Sequence, residues 1–259
     1  MDAVILCGGK GTRLSEETVL KPKPMVEVGG LPILWHIMKL YSYYGVKRFI
    51  LALGYKGEII KQYFYNYKIN KNDFILKLDP NHTTKYVSNS EENEWEIVFV
   101  DTGQDTLKGG RIKKIEKFVK GDSFHLTYGD GIADIALDNL ESFHSSHNSL
   151  GTVTAVRPPS RFGELSISDK NLVESLEEKP QMGKGLINGG FFIFDRGIFK
   201  YLIDDEKCDF EFGPLQKITQ EKNLRAYVHN GFWQCMDNVR ERDFLISLVK
   251  DNKAPWIKW

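Results

Sequence analysis

Cysteine is too scarce and too scattered here for a disulfide framework: Cys7, Cys208 and Cys235 are odd in number and far apart. They form no Cys-rich zinc pattern, and the six histidines show no zinc-ligand spacing. The thiols read as reduced. A surplus of positive charge is also missing. Lys plus Arg number 35 and Asp plus Glu number 35, whereas a nucleic-acid binder usually carries a basic excess. A local basic pocket for a small anion stays open. No apolar run approaches the roughly 20 residues a bilayer span needs, so no membrane partner is expected. No charged leader precedes the apolar run Ala3–Val4–Ile5–Leu6, which predicts a cytoplasmic protein. Internal repeats and low-complexity tracts are absent too.

What is present suits one α/β domain. The chain has 259 residues, 41% of them hydrophobic, enough for a sizeable core. Residues 3–6 form a short continuous apolar run ended by Gly8 and Gly9, as expected of a strand buried on both faces. Residues 32–44 predict a helix with Ile33, Leu34, Ile37, Met38 and Tyr41 on one face and Gly45 past its end. Residues 49–53 predict a second strand and 58–67 a second helix. Further strands are expected at 97–100, 124–128, 151–156 and 190–194. The alternation predicts a mixed or parallel sheet with helices on both faces. Residues 79–95 are polar and irregular, an inserted loop or small hairpin. The tail carries Trp256 and Trp259, which should pack onto the body or onto a neighbouring subunit.

The first chemical signal is Leu6-Cys7-Gly8-Gly9-Lys10-Gly11-Thr12-Arg13. Glycines after a buried strand let backbone N–H groups approach phosphate oxygens, at the strand end where open α/β sheets bind ligands. Arg13 can add a charge-assisted contact and Thr12 a hydroxyl. A plain tight turn is the bland alternative. The residues do not match a P-loop, and a dinucleotide fingerprint fails because position 14 is Leu. That failure, with no ribose-binding acid some 20 residues on, disfavours a nicotinamide dehydrogenase.

Gly-Gly-x-Gly-Thr-Arg-Leu followed by Lys21-Pro22-Lys23-Pro24-Met25 resembles the nucleotidyltransferase family of sugar-phosphate pyrophosphorylases. The resemblance spans nearly the whole chain. It continues at Tyr128-Gly129-Asp130-Gly131, Glu177-Glu178-Lys179-Pro180, Asn188-Gly189-Gly190 and Trp233-Gln234-Cys235-Met236-Asp237. It implies a single Rossmann-like nucleotidyltransferase domain over residues 1–259, with a mixed, mainly parallel sheet, the 79–95 insertion, and a sugar-binding and oligomerisation portion over 196–259. Ser15–Thr18, Pro32–Met38, Asp101-Thr102-Gly103 with Gly109-Gly110-Arg111, and Ala254-Pro255-Trp256 resemble the cytidylyl-transferring group. Cys7 stands where the family usually has Ala, and Cys235 where Pro is common.

The resemblance implies in-line attack of α-D-glucose 1-phosphate on the α-phosphate of CTP, with Mg²⁺ as cofactor. Such chemistry needs positioning and charge neutralisation more than covalent help. By this resemblance Lys23, Arg13 and Asp130 are catalytic. Leu6 through Arg13, Thr106, Arg111 and Gly129 bind nucleotide and phosphate. Lys23, Glu178, Lys179 and Asn188 bind the sugar phosphate, and Asp130 and Asp237 hold the metal. The residues also admit plainer readings: a turn aspartate at Asp130, a helix N-cap at Asp237, a solvated lysine at Lys23 and a surface arginine at Arg111. His36 and His125 read as structural. The same chemistry could use dTTP or UTP, or mannose or heptose 1-phosphate. A module that only holds a nucleotide sugar is a separate alternative. The resemblance further implies a homo-oligomer, a hexamer being one form, and a place in supplying deoxysugars of surface polysaccharide.

Overall fold

The computed structural model describes residues 1–78, 83–87, 94–159, 164–169, 171–177 and 185–259, with the side chains of 15, 16, 164–167 and 177 left aside. In chain order the first elements are β1 (Asp2–Cys7), α1 (Ser15–Thr18), β2 (Glu27–Val28), β3 (Leu31–Pro32), α2 (Ile33–Tyr43), β4 (Arg48–Leu53), α3 (Gly57–Tyr65) and α4 (Tyr67–Lys71). There follow β5 (Phe74–Leu76), β6 (Thr84–Tyr86), β7 (Glu96–Asp101), α5 (Lys108–Lys114), β8 (Ser123–Tyr128), β9 (Gly131–Ala133), α6 (Leu137–Ser145) and β10 (Gly151–Val156). The last are β11 (Glu164–Ile167), β12 (Val173–Glu177), β13 (Ile187–Asn188), β14 (Phe192–Asp195), α7 (Gln216–Gln220), β15 (Leu224–His229), β16 (Trp233–Cys235) and α8 (Val239–Lys250).

The central sheet runs β13-β10-β14-β8-β1-β4-β7, with β15 also paired to β10. Its β8-β1-β4-β7 half is wholly parallel. β14 enters antiparallel to β8, and β10 antiparallel to β14. The expected mixed, mainly parallel sheet is therefore the one observed. β1 shows why its sequence is an unbroken apolar run. Successive side chains alternate across a strand, and here both sides are core. Ala3, Ile5 and Cys7 join the cluster beneath α2, α6 and α8, while Val4 and Leu6 join the one beneath α5 and Phe199.

Several boundaries differ from the sequence reading. The second helix is two, broken at Asn66, the C-cap of α3. The strand expected at 190–194 is shifted to Phe192–Asp195, and a further short strand, Ile187–Asn188, precedes it; both pair with β10, with residues 189–191 between them. Phe191 there has φ +44° while fully buried, a conformation that costs a non-glycine residue energy and persists only where its surroundings enforce it. In the polar insertion β6 pairs antiparallel with β5, which lies ahead of it at Phe74–Leu76, and residues 79–82 and 88–93 lie outside the described residues.

The tryptophan tail packs back onto the body. Trp256 is fully buried and donates its indole N–H to His36 Nδ1 at 3.3 Å. His36 Nε2 then faces the Val28 carbonyl oxygen at 2.8 Å. With one nitrogen accepting and the other donating, the ring is a neutral structural brace. His125, fully buried, instead meets Glu141 at 2.7 Å. Both histidines are structural, as read. Among the described residues no helix is long and apolar enough to cross a membrane.

Candidate active site

The carboxyl ends of β1 and β8 open into a cavity of about 660 Å³. Leu6, Cys7, Gly8, Gly9, Gly11, Thr12, Arg13, Lys23, Thr106, Arg111, Gly129, Asp130, Asn188 and Asp237 all line it. The structure thus gathers residues that the sequence spreads over more than two hundred positions. Lys10 points elsewhere and pairs with Asp105 at 2.7 Å, both exposed. Glu178 and Lys179 lie outside the described residues.

Lys23 is at the centre. Pro22 and Pro24 flank it, and residues 23–25 form a single tight helical turn. The side chain is buried, not a solvated loop lysine. Its Nζ lies 2.6 Å from Asp130 Oδ2 and 2.6 Å from Asp237 Oδ1. Burial opposes the ammonium charge, but the two carboxylates outweigh it and hold the Lys23 pKa above its ordinary value. Asp237 also accepts Arg13 Nη1 on its other oxygen at 2.8 Å. Asp237 is not a helix N-cap: Asn238 caps α8, its side chain accepting the Glu241 N–H.

Two carboxylate oxygens that already share one cation make a hard-oxygen donor pair, the type that magnesium takes together with phosphate oxygens. The neighbouring soft donor does not compete well. Burial, then Glu241 and Asp237, push the Cys235 thiol up to about 12, so it stays protonated near neutral pH. Asp130 and Asp237 therefore fit a divalent, oxygen-seeking ion.

Arg111 is no surface arginine. It is buried in the middle of α5. Its Nη1 donates to Leu53 O (3.1 Å), Thr102 Oγ1 (2.7 Å) and Gly103 O (2.7 Å). Its Nη2 donates to Gly8 O (3.0 Å) and Gln104 O (3.1 Å). The resemblance has it contact nucleotide or phosphate; in the structure it lines the cavity and also fastens the loops after β1, β4 and β7 together along one wall. Gly8 serves that packing, since a Cβ there would fall 2.2 Å from Arg111 Cζ. Thr106 is buried, yet its Oγ1 has no hydrogen-bond partner among the described residues. A buried hydroxyl without a partner is costly, and Thr106 lines the cavity.

Other lining residues carried no site reading from the sequence. Tyr128 ends β8 directly before Gly129-Asp130, Lys108 begins α5, and Trp233 donates its indole N–H to Gly189 O at 2.8 Å. Their positions beside recognised motifs were the available signal.

A family model described as nucleotidyl transferase matches residues 2–237. Glucose-1-phosphate cytidylyltransferase of Salmonella typhi is 46% identical over 260 aligned residues, covering 100% of both chains. A probable glucose-1-phosphate cytidylyltransferase of Bacillus subtilis is 42% identical, again over 100% of both. Among solved structures, HddC from Yersinia pseudotuberculosis complexed with GMP-PN is 25% identical, with a TM-score of 0.66 over 96% of this chain and 99% of that one.

Proposed function

The chain belongs to the nucleotidyl transferase family, and from that premise we propose that it transfers a cytidylyl group from CTP to α-D-glucose 1-phosphate, giving CDP-glucose and pyrophosphate. Full-length similarity to two proteins named for that reaction supports the choice of substrates. The observation that carries the chemistry is the Asp130–Lys23–Asp237 cluster at the head of the glycine loop.

The sugar 1-phosphate oxygen attacks the α-phosphorus, and the bond to pyrophosphate breaks on the opposite side. The sugar phosphate is itself a competent nucleophile, so the protein's task is to align and to neutralise. Backbone N–H groups of residues 8–12 receive phosphate oxygens, with Thr12 and Thr106 adding hydroxyls. Lys23 brings a buried positive charge to the reacting phosphates, and Arg13, exposed at the rim, brings another. Asp130 and Asp237 would hold Mg²⁺, which supplies further charge neutralisation on the triphosphate. Glu178, Lys179 and Asn188 take the sugar and its phosphate. The protein works in the cytoplasm, where CTP is at hand, as a homo-oligomer.

The test is pyrophosphate release with glucose 1-phosphate and Mg²⁺ against CTP, dTTP, UTP, ATP and GTP, with Asp130→Asn as control. Turnover led by CTP and lost in the variant is expected. Turnover led by another nucleotide overturns the base assignment and leaves the reaction class standing.

A further inference from the structure

One carboxylate on the cavity's far side is tied to both of its walls. Tyr128, the last residue of β8, donates its hydroxyl to Glu211 Oε1 at 2.9 Å and accepts from Asn188 Nδ2 at 3.0 Å. Lys108, the first residue of α5, places its ammonium on the same Glu211 oxygen and lies 5.1 Å from the centre of the Tyr128 ring. Asn188 is fixed at its other end as well, because its Oδ1 accepts the Gly190 N–H at 2.9 Å. A chain of hydrogen bonds thus runs Asn188–Tyr128–Glu211–Lys108, from β13 through β8 to α5.

The backbone places Glu211 with little freedom. Residues 205–208 lie directly on the start of α5: Leu107 N–H donates to Glu206 O at 2.8 Å, and Gly110 N–H to Cys208 O at 3.1 Å. Only glycine permits this approach, since a Cβ on Gly109 would come 2.7 Å from Cys208 O and one on Gly110 2.4 Å from Asp205 O. The glycine pair before Arg111 is thereby accounted for by main-chain contact. Glu211 then opens a kinked turn, Glu211–Leu215, whose helical run is interrupted at Phe212 (φ −87°, ψ 20°).

Tyr128, Lys108 and Asn188 line the main cavity, whereas Glu211 lines the adjoining depression behind Asn188 and Ile187. Glu211 therefore acts through the others. Hexoses that differ at one carbon differ only in the direction of a hydroxyl. Telling them apart requires donors and acceptors whose own directions are fixed, and a site built in that way can reject a wrong partner strongly. With its oxygen on Gly190 and one N–H on Tyr128, the Asn188 carboxamide has its remaining N–H aimed in one direction. We propose that Glu211 is a positioning residue that holds Tyr128, and through it Asn188, together with Lys108, and so determines which hexose 1-phosphate is accepted. This rests on the nucleotidyl-transfer reading.

The experiment measures pyrophosphate release with CTP and glucose, galactose or mannose 1-phosphate for the wild type, Glu211→Leu, Glu211→Gln and Tyr128→Phe. Tyr128→Phe removes one oxygen from the wall and so tests the idea even if Glu211→Leu fails to fold. Glu211→Leu and Tyr128→Phe should raise the KM for glucose 1-phosphate and compress the kcat/KM ratio between epimers, each by about tenfold, while the KM for CTP holds. Glu211→Gln keeps an acceptor for Tyr128 and should retain most of the selectivity. A wild type that discriminates among epimers, with Tyr128→Phe giving the same ratio and the same sugar-phosphate KM, overturns this inference alone. A wild type silent with every sugar 1-phosphate sinks the nucleotidyl-transfer reading and takes this inference with it.

Discussion

Arg111 rests against the backbone of Gly8, its Nη2 3.0 Å from the Gly8 carbonyl oxygen and its Cζ where a Gly8 side chain would begin. Gly8→Ala therefore evicts a buried guanidinium from five hydrogen bonds. The expected loss is about 3 kcal/mol, a fall in Tm of roughly 6–12 °C for a chain of this size. Calorimetry on Gly8→Ala, Arg111→Ala and the double variant checks it. The two substitutions break the same contacts, so their combined cost should be well below the sum.

Lys23 occupies the carboxylate oxygens that a divalent cation would take. Lys23→Met should lower kcat/KM by roughly 10²–10³-fold, the scale seen for losing one electrostatic partner of a reacting centre. The same variant should bind Mn²⁺ about tenfold more tightly without nucleotide, because Asp130 and Asp237 lose the ammonium that neutralises them. Titration followed by electron paramagnetic resonance reads the second effect independently of turnover. Unchanged Mn²⁺ affinity would show that ammonium and metal do not compete.

Thr106→Val replaces a buried hydroxyl that has no partner among the described residues. Stability should hold or rise by about 1 kcal/mol, while the KM for the nucleotide rises. A stability loss without any change in nucleotide KM would assign Thr106 to the scaffold instead.

Acid should weaken the brace between α2 and the tail. Burial pulls the His36 pKa from 6.5 down to about 4, against a smaller opposing effect of the Val28 carbonyl. The folded state keeps the ring neutral, whereas the unfolded chain protonates it near 6.5. The contribution is therefore complete above pH 6.5, declines as pH falls toward 4 and levels off below, for a total of about 3 kcal/mol. Urea midpoints at pH 7, 5.5 and 4 for wild type and His36→Gln measure it. A pH slope that is the same in both would remove His36 from the account.

The parallel half of the sheet was legible because strands buried on both faces read as apolar runs; β1 and β4 do so without a break from Ala3 and Phe49 onward, and β8 does so from Phe124 apart from His125 and Thr127. The phosphate loop and Asp130 were legible because glycines bracket them. The start of β14 at Phe192 was not, since Gly190 to Phe194 reads as one strand and only the tertiary contacts force Phe191 to a positive φ. Asp237 stood out through the family resemblance alone, and its tie to Lys23 is a contact between distant segments that no local pattern carries. Gly109 and Gly110 stood out only as part of a resemblance, because the segment they pack on, residues 205–208, comes nearly a hundred positions later. Glu211 sits in no motif at all; the kinked turn that presents it has no simple periodicity to read.

The placement of Trp256 bears on how the protein is made. Its indole completes the hydrogen bonding of His36 on α2, an element synthesised more than two hundred residues earlier, and Lys258 reaches back to Tyr44 and to the carbonyl of Asp134. On the ribosome, most of the sheet emerges while this seam is still open. The nascent chain can collapse early, but it cannot lock until residues 256–258 clear the exit tunnel. A ribosome that stalls in α8 would leave a product with Lys23, Asp130 and Asp237 all translated and the seam unsealed, a natural target for proteolytic quality control.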